Sequence, residues 1–213
     1  MSRRNPPTTP IARSKSAALS RVLDLVGRGY TQYTTGNVKA EKAEALANKF
    51  HRLYEIGASP ARRITRRKAG MANAALVMYW PEGAVRMEWL LLVAGAELEG
   101  EQLRDVTDRH RLVFLGYEMV RYPKHGRTAW TWRRPKEDMA EIHTMLAEYA
   151  NRRAWSAVDE LLQRVASQPG FHGVREQSWR IGQAAIARGY PGKLPTLYYM
   201  RKLSHGEPLH LGV

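Results

Sequence analysis

The chain has 213 residues, no cysteine and a formal net charge of +14 at neutral pH. The lack of cysteine excludes disulfides, thiolate catalysis and cysteine-based zinc sites, and a hydrophobic fraction of 44% argues against wholesale disorder. The longest apolar run, residues 89–96, is far shorter than the roughly 20 residues that cross a bilayer. The first ten residues also lack the apolar run of a secretory signal. We therefore expect a soluble, cytoplasmic protein.

The positive charge is concentrated in two parts of the chain. Residues 1–70 carry 15 basic and 4 acidic side chains, residues 121–213 carry 15 and 8, and residues 71–120 carry 4 and 8. Arg outnumbers Lys 25 to 9, and guanidinium groups bind phosphate through paired hydrogen bonds and stack on bases. The alternative explanation for the excess of Arg over Lys is the base composition of the genome. We expect nucleic acid, DNA or RNA, as the partner.

Three elements are predicted before the first strand. The first two arginines and three prolines of residues 1–13 predict a flexible basic arm. Apolar residues at helical spacing predict helices over residues 16–28 and 38–56. The basic cluster at residues 62–68 then falls in a loop or a short extension.

The middle of the chain changes from helical to extended periodicity. Residues 75–80 and 85–93, joined by Pro-Glu-Gly, predict one β-hairpin. Residues 112–122 and 127–134, joined by Lys-His-Gly, predict a second hairpin. A short helix is predicted between the two hairpins, over residues 97–106.

Helices dominate the rest of the chain, and they are predicted at residues 135–152, 156–166 and 174–188. The last two are compatible with a helix-turn-helix motif, in which Arg175, Gln177, Ser178 and Arg180 would begin a recognition helix. Their Pro- and Gly-containing connection is longer than the three or four residues of that motif. An ordinary helical pair that packs on the sheet is therefore favoured.

These elements together predict an α+β fold. It has about four antiparallel strands in two hairpins, flanked by N-terminal and C-terminal helices, with the flexible basic arm in front. We expect a single domain over residues 14–189, with its sheet core at residues 73–134 and its helical part at residues 135–189. Residues 190–213 are expected to form an irregular tail.

The first candidate nucleic-acid-binding site is the cluster of Arg62, Arg63, Arg66, Arg67 and Lys68. Five basic side chains in seven positions repel one another unless counterions or phosphates compensate their charge. Such a cluster would contact the nucleic-acid backbone without reading its sequence. The alternative is a solvated loop that is merely basic.

The second candidate site is the second hairpin, whose side chains of interest are Lys124, Arg127, Trp130, Trp132, Arg133 and Arg134. Alternate residues of a strand share a face, so Trp130 and Trp132 are expected to lie together. On an open face they would form a stacking ladder for bases, with the basic residues on phosphates. The alternative is that both rings belong to the core.

Catalytic signals are weak. His125 at the tip of the second hairpin, near Tyr122, is a conceivable proton-transfer group of a metal-independent endonuclease. A metal-dependent one would need the acidic side chains Glu82, Glu88, Glu97, Glu99, Asp105 and Asp108, whose spacing matches no two-metal pattern. Neither a phosphate-binding loop nor a dinucleotide fingerprint is present. No cofactor or catalytic residue is therefore assigned.

The favoured hypothesis is a nucleic-acid-binding accessory protein rather than an enzyme. The Arg-rich composition is similar to that of small accessory proteins of bacterial plasmids, phages and integrative elements, although no motif carries this similarity. An endonuclease is one alternative. The other is an interaction module or inhibitor whose basic faces bind an acidic protein.

Overall fold

A computed structural model describes residues 6–124, 127–200 and 204–212. The chain divides into two compact units, the first made of Met1–Arg111 with Leu203–Val213 and the second of Leu112–Lys202. Sequence analysis expected a single domain over residues 14–189. The structure instead places a boundary after Arg111 and returns the C-terminal segment to the first unit.

The first unit begins with β1 (Thr8–Ala12), α1 (Lys15–Gly27), β2 (Gln32–Lys39), a 3-10 turn (Ala40–Lys42), α2 (Ala43–Tyr54), α3 (Pro60–Lys68), β3 (Asn73–Tyr79), β4 (Arg86–Ala94) and β5 (Arg104–Asp105). The second unit contains β6 (Val113–Phe114), β7 (Tyr117–Lys124), β8 (Arg127–Arg133), α4 (Lys136–Asn151), α5 (Trp155–Ala166) and α6 (His172–Ala187). The last strand, β9 (Glu207–His210), belongs to the first unit.

The sheet of the first unit has six strands in the order β5-β2-β4-β3-β1-β9. Its central strand β3 is buried along residues 73–78, on both faces. Phe50 of α2 packs with Leu76 and Met78 from one face, and α1 also lies against β3 and β4. A strand covered on both sides explains why this segment is apolar without alternation.

The second unit combines a three-stranded antiparallel sheet, β6-β7-β8, with three helices. Ile142 of α4, Leu161 of α5 and Ile181 of α6 belong to one buried cluster. The first turn of α6 lies on β8, where the Gly173 N–H donates to Thr131 Oγ1 over 3.2 Å. Of the predicted helical pair, α6 packs on the sheet and α5 packs on α6.

The predicted α+β class is confirmed, and both hairpins are present as β3-β4 and β7-β8. They do not share one sheet of about four strands, however, because the first hairpin lies in the six-stranded sheet and the second in the three-stranded one. The other strands, β1, β2, β5, β6 and β9, come from segments whose sequences show little alternation of apolar and polar residues. Long-range pairing, rather than local periodicity, makes those segments extended.

Two terminal segments differ from the prediction. Residues 8–12 are not a flexible arm but strand β1, because Thr9, Ile11 and Ala12 are buried beside β3 and β9. Residues 1–5 of the predicted arm lie outside the described residues. Within the expected irregular tail, residues 207–210 form β9 against β1, whereas residues 191–200 form no helix or strand.

Two predicted helices are wrong in whole or in part. Of the helix predicted over residues 38–56, only Ala43–Tyr54 is α-helical. The residues before Ala40 belong to strand β2, and every residue of β2 pairs with β4. Gly36 of β2 faces the ring of Trp89 so closely that a Cβ would lie 2.8 Å from the ring. Residues 97–106 contain the short strand β5, which pairs with β2, instead of a helix.

The basic cluster at residues 62–68 is helical and not a loop. Ser59 caps α3 by accepting a hydrogen bond from the Arg62 N–H over 3.2 Å, and Pro60 occupies the first turn. Both are residues that favour a helix N-terminus. The helix fixes the direction of each basic side chain, which decides which of them reach solvent.

Candidate functional site

Two arginines of the first predicted cluster are used to hold α3 in place. Arg62 donates to Glu55 over 2.9 and 3.0 Å. The buried Arg66 donates to Glu55 over 2.7 Å and twice to the Ala72 carbonyl. The hydrogen bond from Arg62, together with the charges of Arg66 and Arg62, lowers the pKa of Glu55 despite its partial burial. Both guanidinium groups therefore already have a carboxylate partner, and Arg66 is in addition buried.

The other members of this cluster point elsewhere. Arg63 is half-buried and donates to the Tyr30 hydroxyl over 3.0 Å and to the carbonyls of Ile56 and Ala58. Arg67 and Lys68 are exposed, and within the described residues their side chains make no ion pair. The cluster thus separates into structural and accessible arginines.

A cleft in the first unit brings four arginines together. Its volume is about 550 Å³, and α1 and the residue after it supply Arg21 and Arg28 while α3 supplies Arg63 and Arg67. The remaining lining residues are Leu25, Tyr30, Ala58, Pro60, Ile64, Asn73 and Ala94. Within the described part of the chain, this lining contains no carboxylate. Such a concave, cationic site fits an anionic ligand.

Arg21 lines this cleft and has a buried hydrogen-bond donor, its Nε, that lacks a partner among the described atoms. Burial lowers the pKa of Arg21, and the charges of Arg63 and Arg28 lower it further, while Asp24 opposes them. The Asp24 carboxylate itself lies 2.7 Å from His205 Nε2. An anion in the cleft would offset the repulsion between the arginines.

Sequence analysis missed Arg21 and Arg28, although a signal for them exists. They are seven residues apart, and positions seven apart on a helix lie on the same face two turns from each other. Arg63 and Arg67 are four apart on α3 and share a face for the same reason. Only the folded structure shows that these two faces border one cleft.

The second predicted cluster is mostly structural. Arg134 is 2% exposed and donates to Gln168 and Ser178 and to the carbonyls of Val165 and Val174. Burial lowers its pKa, against the smaller opposing effect of Tyr117. Both Arg134 and Arg133, which forms an ion pair with Glu118, thus have partners within the protein. Expecting phosphate contacts from Arg134 is therefore wrong.

The tryptophan ladder is wrong as well. Trp132 is completely buried, so its faces are closed to a base. Trp130 is half-buried, and the Arg121 guanidinium lies over its ring at 4.7 Å. The side chains of Lys124 and Arg127 lie outside the described part of the structure.

The candidate catalytic groups form no site in the part of the chain that the structure describes. His125 lies outside that part, and the Tyr122 ring stacks on His172 with the ring centroids 4.3 Å apart. Across the described residues, no three metal-binding side chains converge. Glu97 and Glu99 line a separate cleft with Lys49 and Arg66.

The proposed recognition helix is also engaged internally. Gln177 accepts from the Arg134 backbone N–H over 2.8 Å and donates to its carbonyl, and Ser178 is buried against the Arg134 guanidinium. These two side chains therefore cannot read base edges without breaking the contact between α6 and β8.

No helix in the described residues has the length and apolar character needed to span a membrane. Comparison of the chain with protein-family models, with curated proteins and with solved structures found no match. The geometry of the arginine cleft is therefore the main guide to function.

Proposed function

We propose that the protein binds nucleic acid and that the arginine cleft of the first unit (Arg21, Arg28, Arg63 and Arg67) contacts the phosphate backbone through its exposed members, Arg28 and Arg67. The observation that carries this proposal is the convergence of four arginines on one cleft whose lining, in the described part of the chain, has no carboxylate. A phosphate supplies the opposite charge and accepts hydrogen bonds from the exposed guanidinium groups.

A polyanion fits the cleft better than an isolated small anion. Arg28 and Arg67 are exposed at this site, while Arg21 and Arg63 are half-buried, so cationic groups continue from the interior to the surface. The net charge of +14 adds a long-range attraction that raises the rate of encounter with a polyanion. Contacts of this kind stabilise binding without selecting a base sequence.

The test is a titration of labelled DNA and RNA at about 50 and 200 mM salt, a range over which binding through phosphates weakens steeply. The Arg28→Gln/Arg67→Gln variant should weaken binding to all sequences alike. It should also reduce the slope of log Kd against log salt by about 1 for each arginine that no longer pairs with a phosphate.

A matched control is the Lys42→Gln/Arg52→Gln variant, which removes two exposed charges from the same unit outside the cleft. It should retain nearly the wild-type slope. Equal losses of affinity in the two variants, or wild-type binding that ignores salt, would contradict the role of the cleft. Cleavage of the labelled strands would instead indicate an endonuclease. A second protein that stays bound to this chain after nuclease treatment would indicate an acidic protein partner.

A further inference from the structure

The second unit exposes three large aromatic side chains on α6 and the segment that follows it. Trp179 on α6 is 57% exposed, and Tyr198 and Tyr199 in the following segment are 70% and 76% exposed. Rings of this size left in water indicate a contact surface. They are also the side chains on which nucleobases stack.

The segment that carries the two tyrosines is fixed against the helices of its own unit. The Met200 N–H donates to the Gly170 carbonyl over 3.1 Å, and a Cβ at Gly170 would overlap the Tyr198 carbonyl. Leu194 lies against Gly182 of α6. The backbone at Tyr198 and Tyr199 is therefore held in place, so the exposure of their rings is a property of the fold.

A small pocket beside Trp179 offers a cation and an aromatic ring together. It measures about 260 Å³ and is lined by His172, Arg175, Glu176, Trp179 and Leu197. This volume is below the roughly 300 Å³ at which pockets for larger ligands begin, so one ring system fits better than a whole cofactor. One ring system is what a single base presents.

Arg175 gives the pocket its polarity. Its guanidinium lies over the Tyr199 ring, 3.4 Å from the centroid, and its Nε is buried without a partner among the described atoms. Glu176 is already engaged by Arg180. Within the described residues Arg175 forms no ion pair, and its positive charge matches a phosphate better than the mostly neutral backbone of a peptide.

We propose that this aromatic surface (Arg175, Trp179 and Tyr199) stacks a base of single-stranded nucleic acid on Trp179, with Arg175, which Tyr199 holds in place, on the adjoining phosphate. The inference rests on the proposed function and specifies its substrate class. Single strands are implied because duplex bases already stack on one another and hide their faces. Stacking is also tolerant of sequence, since every base has an aromatic face.

The experiment compares three ligands of equal length on the full chain: oligo(dT), an abasic oligonucleotide with the same phosphates, and a DNA duplex. Wild-type protein should bind oligo(dT) more tightly than the abasic strand. The Trp179→Ala variant should weaken oligo(dT) binding by about 5- to 150-fold, the range for loss of one stacked base. Binding of the abasic strand should be unchanged.

Two further variants separate stacking from damage to the fold. Trp179→Phe keeps a ring and should retain most of the affinity for oligo(dT), whereas Ile186→Ala removes a different exposed apolar group from α6 and should have no effect. Equal binding of Trp179→Ala and wild type to oligo(dT), or binding of the abasic strand by wild type as tightly as oligo(dT), would overturn base stacking. Those results would leave the arginine cleft intact as a phosphate site, whereas failure of all three ligands to bind would overturn both proposals.

Discussion

Arg133 and Arg134 are adjacent, have the same side chain and occupy very different surroundings. Arg133 is half-exposed and pairs with Glu118, whereas the Arg134 guanidinium is buried and donates to four acceptors. A buried cation is tolerated only when its hydrogen-bonding groups are satisfied. Two of the four acceptors are backbone carbonyls inside the unit, and one of them, that of Val165, also accepts a hydrogen bond from the Ser178 hydroxyl.

We expect Arg134→Met to destabilise the protein by about 1.5–3 kcal/mol, because it removes the hydrogen bonds by which a buried charged group holds Val165, Gln168, Val174 and Ser178. Arg133→Met removes a partly exposed pair and should cost about 1 kcal/mol or less. The measurement is urea denaturation of both variants. Their midpoints are compared provided that the unfolding free energy falls with urea concentration at the same slope in both. Similar midpoints for the two variants would show that burial of Arg134 is not important for stability.

At this same scale the sequence cannot distinguish binding arginines from structural ones. The density of charge at residues 62–68 and 133–134 is visible in the sequence, but the burial of Arg66 and Arg134 depends on distant carbonyls and carboxylates. Arg21 shows the opposite case, since an isolated arginine in an apolar helix stripe becomes part of a cleft only through the position of α3. Residue type alone therefore predicted an anionic ligand but only part of the candidate site.

Apolar periodicity predicts three helices well, even though none of them has a side-chain cap. α4, α5 and α6 lie within two residues of their predicted bounds, because a buried stripe and clear ends define each one. α3 was missed because its charge suggested a solvated loop, although Ser59 and Pro60 are residues of a helix start. β2 was missed because its extended form depends on pairing with β4 rather than on its own weak alternation.

The contact between α6 and β8 provides a test of packing between elements. An added Cβ at Gly173 would lie 2.7 Å from the Trp132 carbonyl oxygen, which the backbone holds in place. At Gly182, on the same helix, the nearest atom is a methyl of Leu194 at 3.1 Å, and a side chain yields more easily than backbone. We expect Gly173→Ala to cost about 1–3 kcal/mol.

Gly182→Ala serves as the matched control for that substitution. Its gain in helix propensity of up to about 1 kcal/mol offsets a small shift of Leu194, so its net effect should be near zero. Thermal unfolding followed by circular dichroism compares the two variants. A greater destabilisation at Gly182 than at Gly173 would mean that α6 does not approach β8 as closely as the structure has it.

At the scale of the whole molecule, the two ends of the chain meet in one sheet. β1 and β9 pair antiparallel, and Arg13 joins Glu207 over 3.1 Å while also donating to the Trp80 carbonyl. Gly206, with a φ of 128°, lies against the Ile11 backbone where another residue would clash. Sequence periodicity carries no information on such a pairing, because its partners are nearly 200 residues apart.

Leu211 is the residue through which this C-terminal segment contributes to the core of the first unit. It is buried, its N–H donates to the Pro7 carbonyl over 2.9 Å, and it packs in the cluster that includes Ile11 and Phe50. Leu211→Ala should therefore destabilise the protein by about 2–4 kcal/mol through reduced burial and the remaining cavity. Hydrogen exchange should show weaker protection at amides of β1 and β3.

Val85→Ala is the control, since Val85 is exposed in the same unit and its truncation should change stability by less than about 0.5 kcal/mol. Leu209→Ala should fall between the two, because Leu209 is only partly buried against the same core. This graded order follows from burial and would not arise from an irregular tail. If Leu211→Ala were as stable as Val85→Ala, the C-terminal segment would not be part of the folded sheet, and the two chain ends would not be joined.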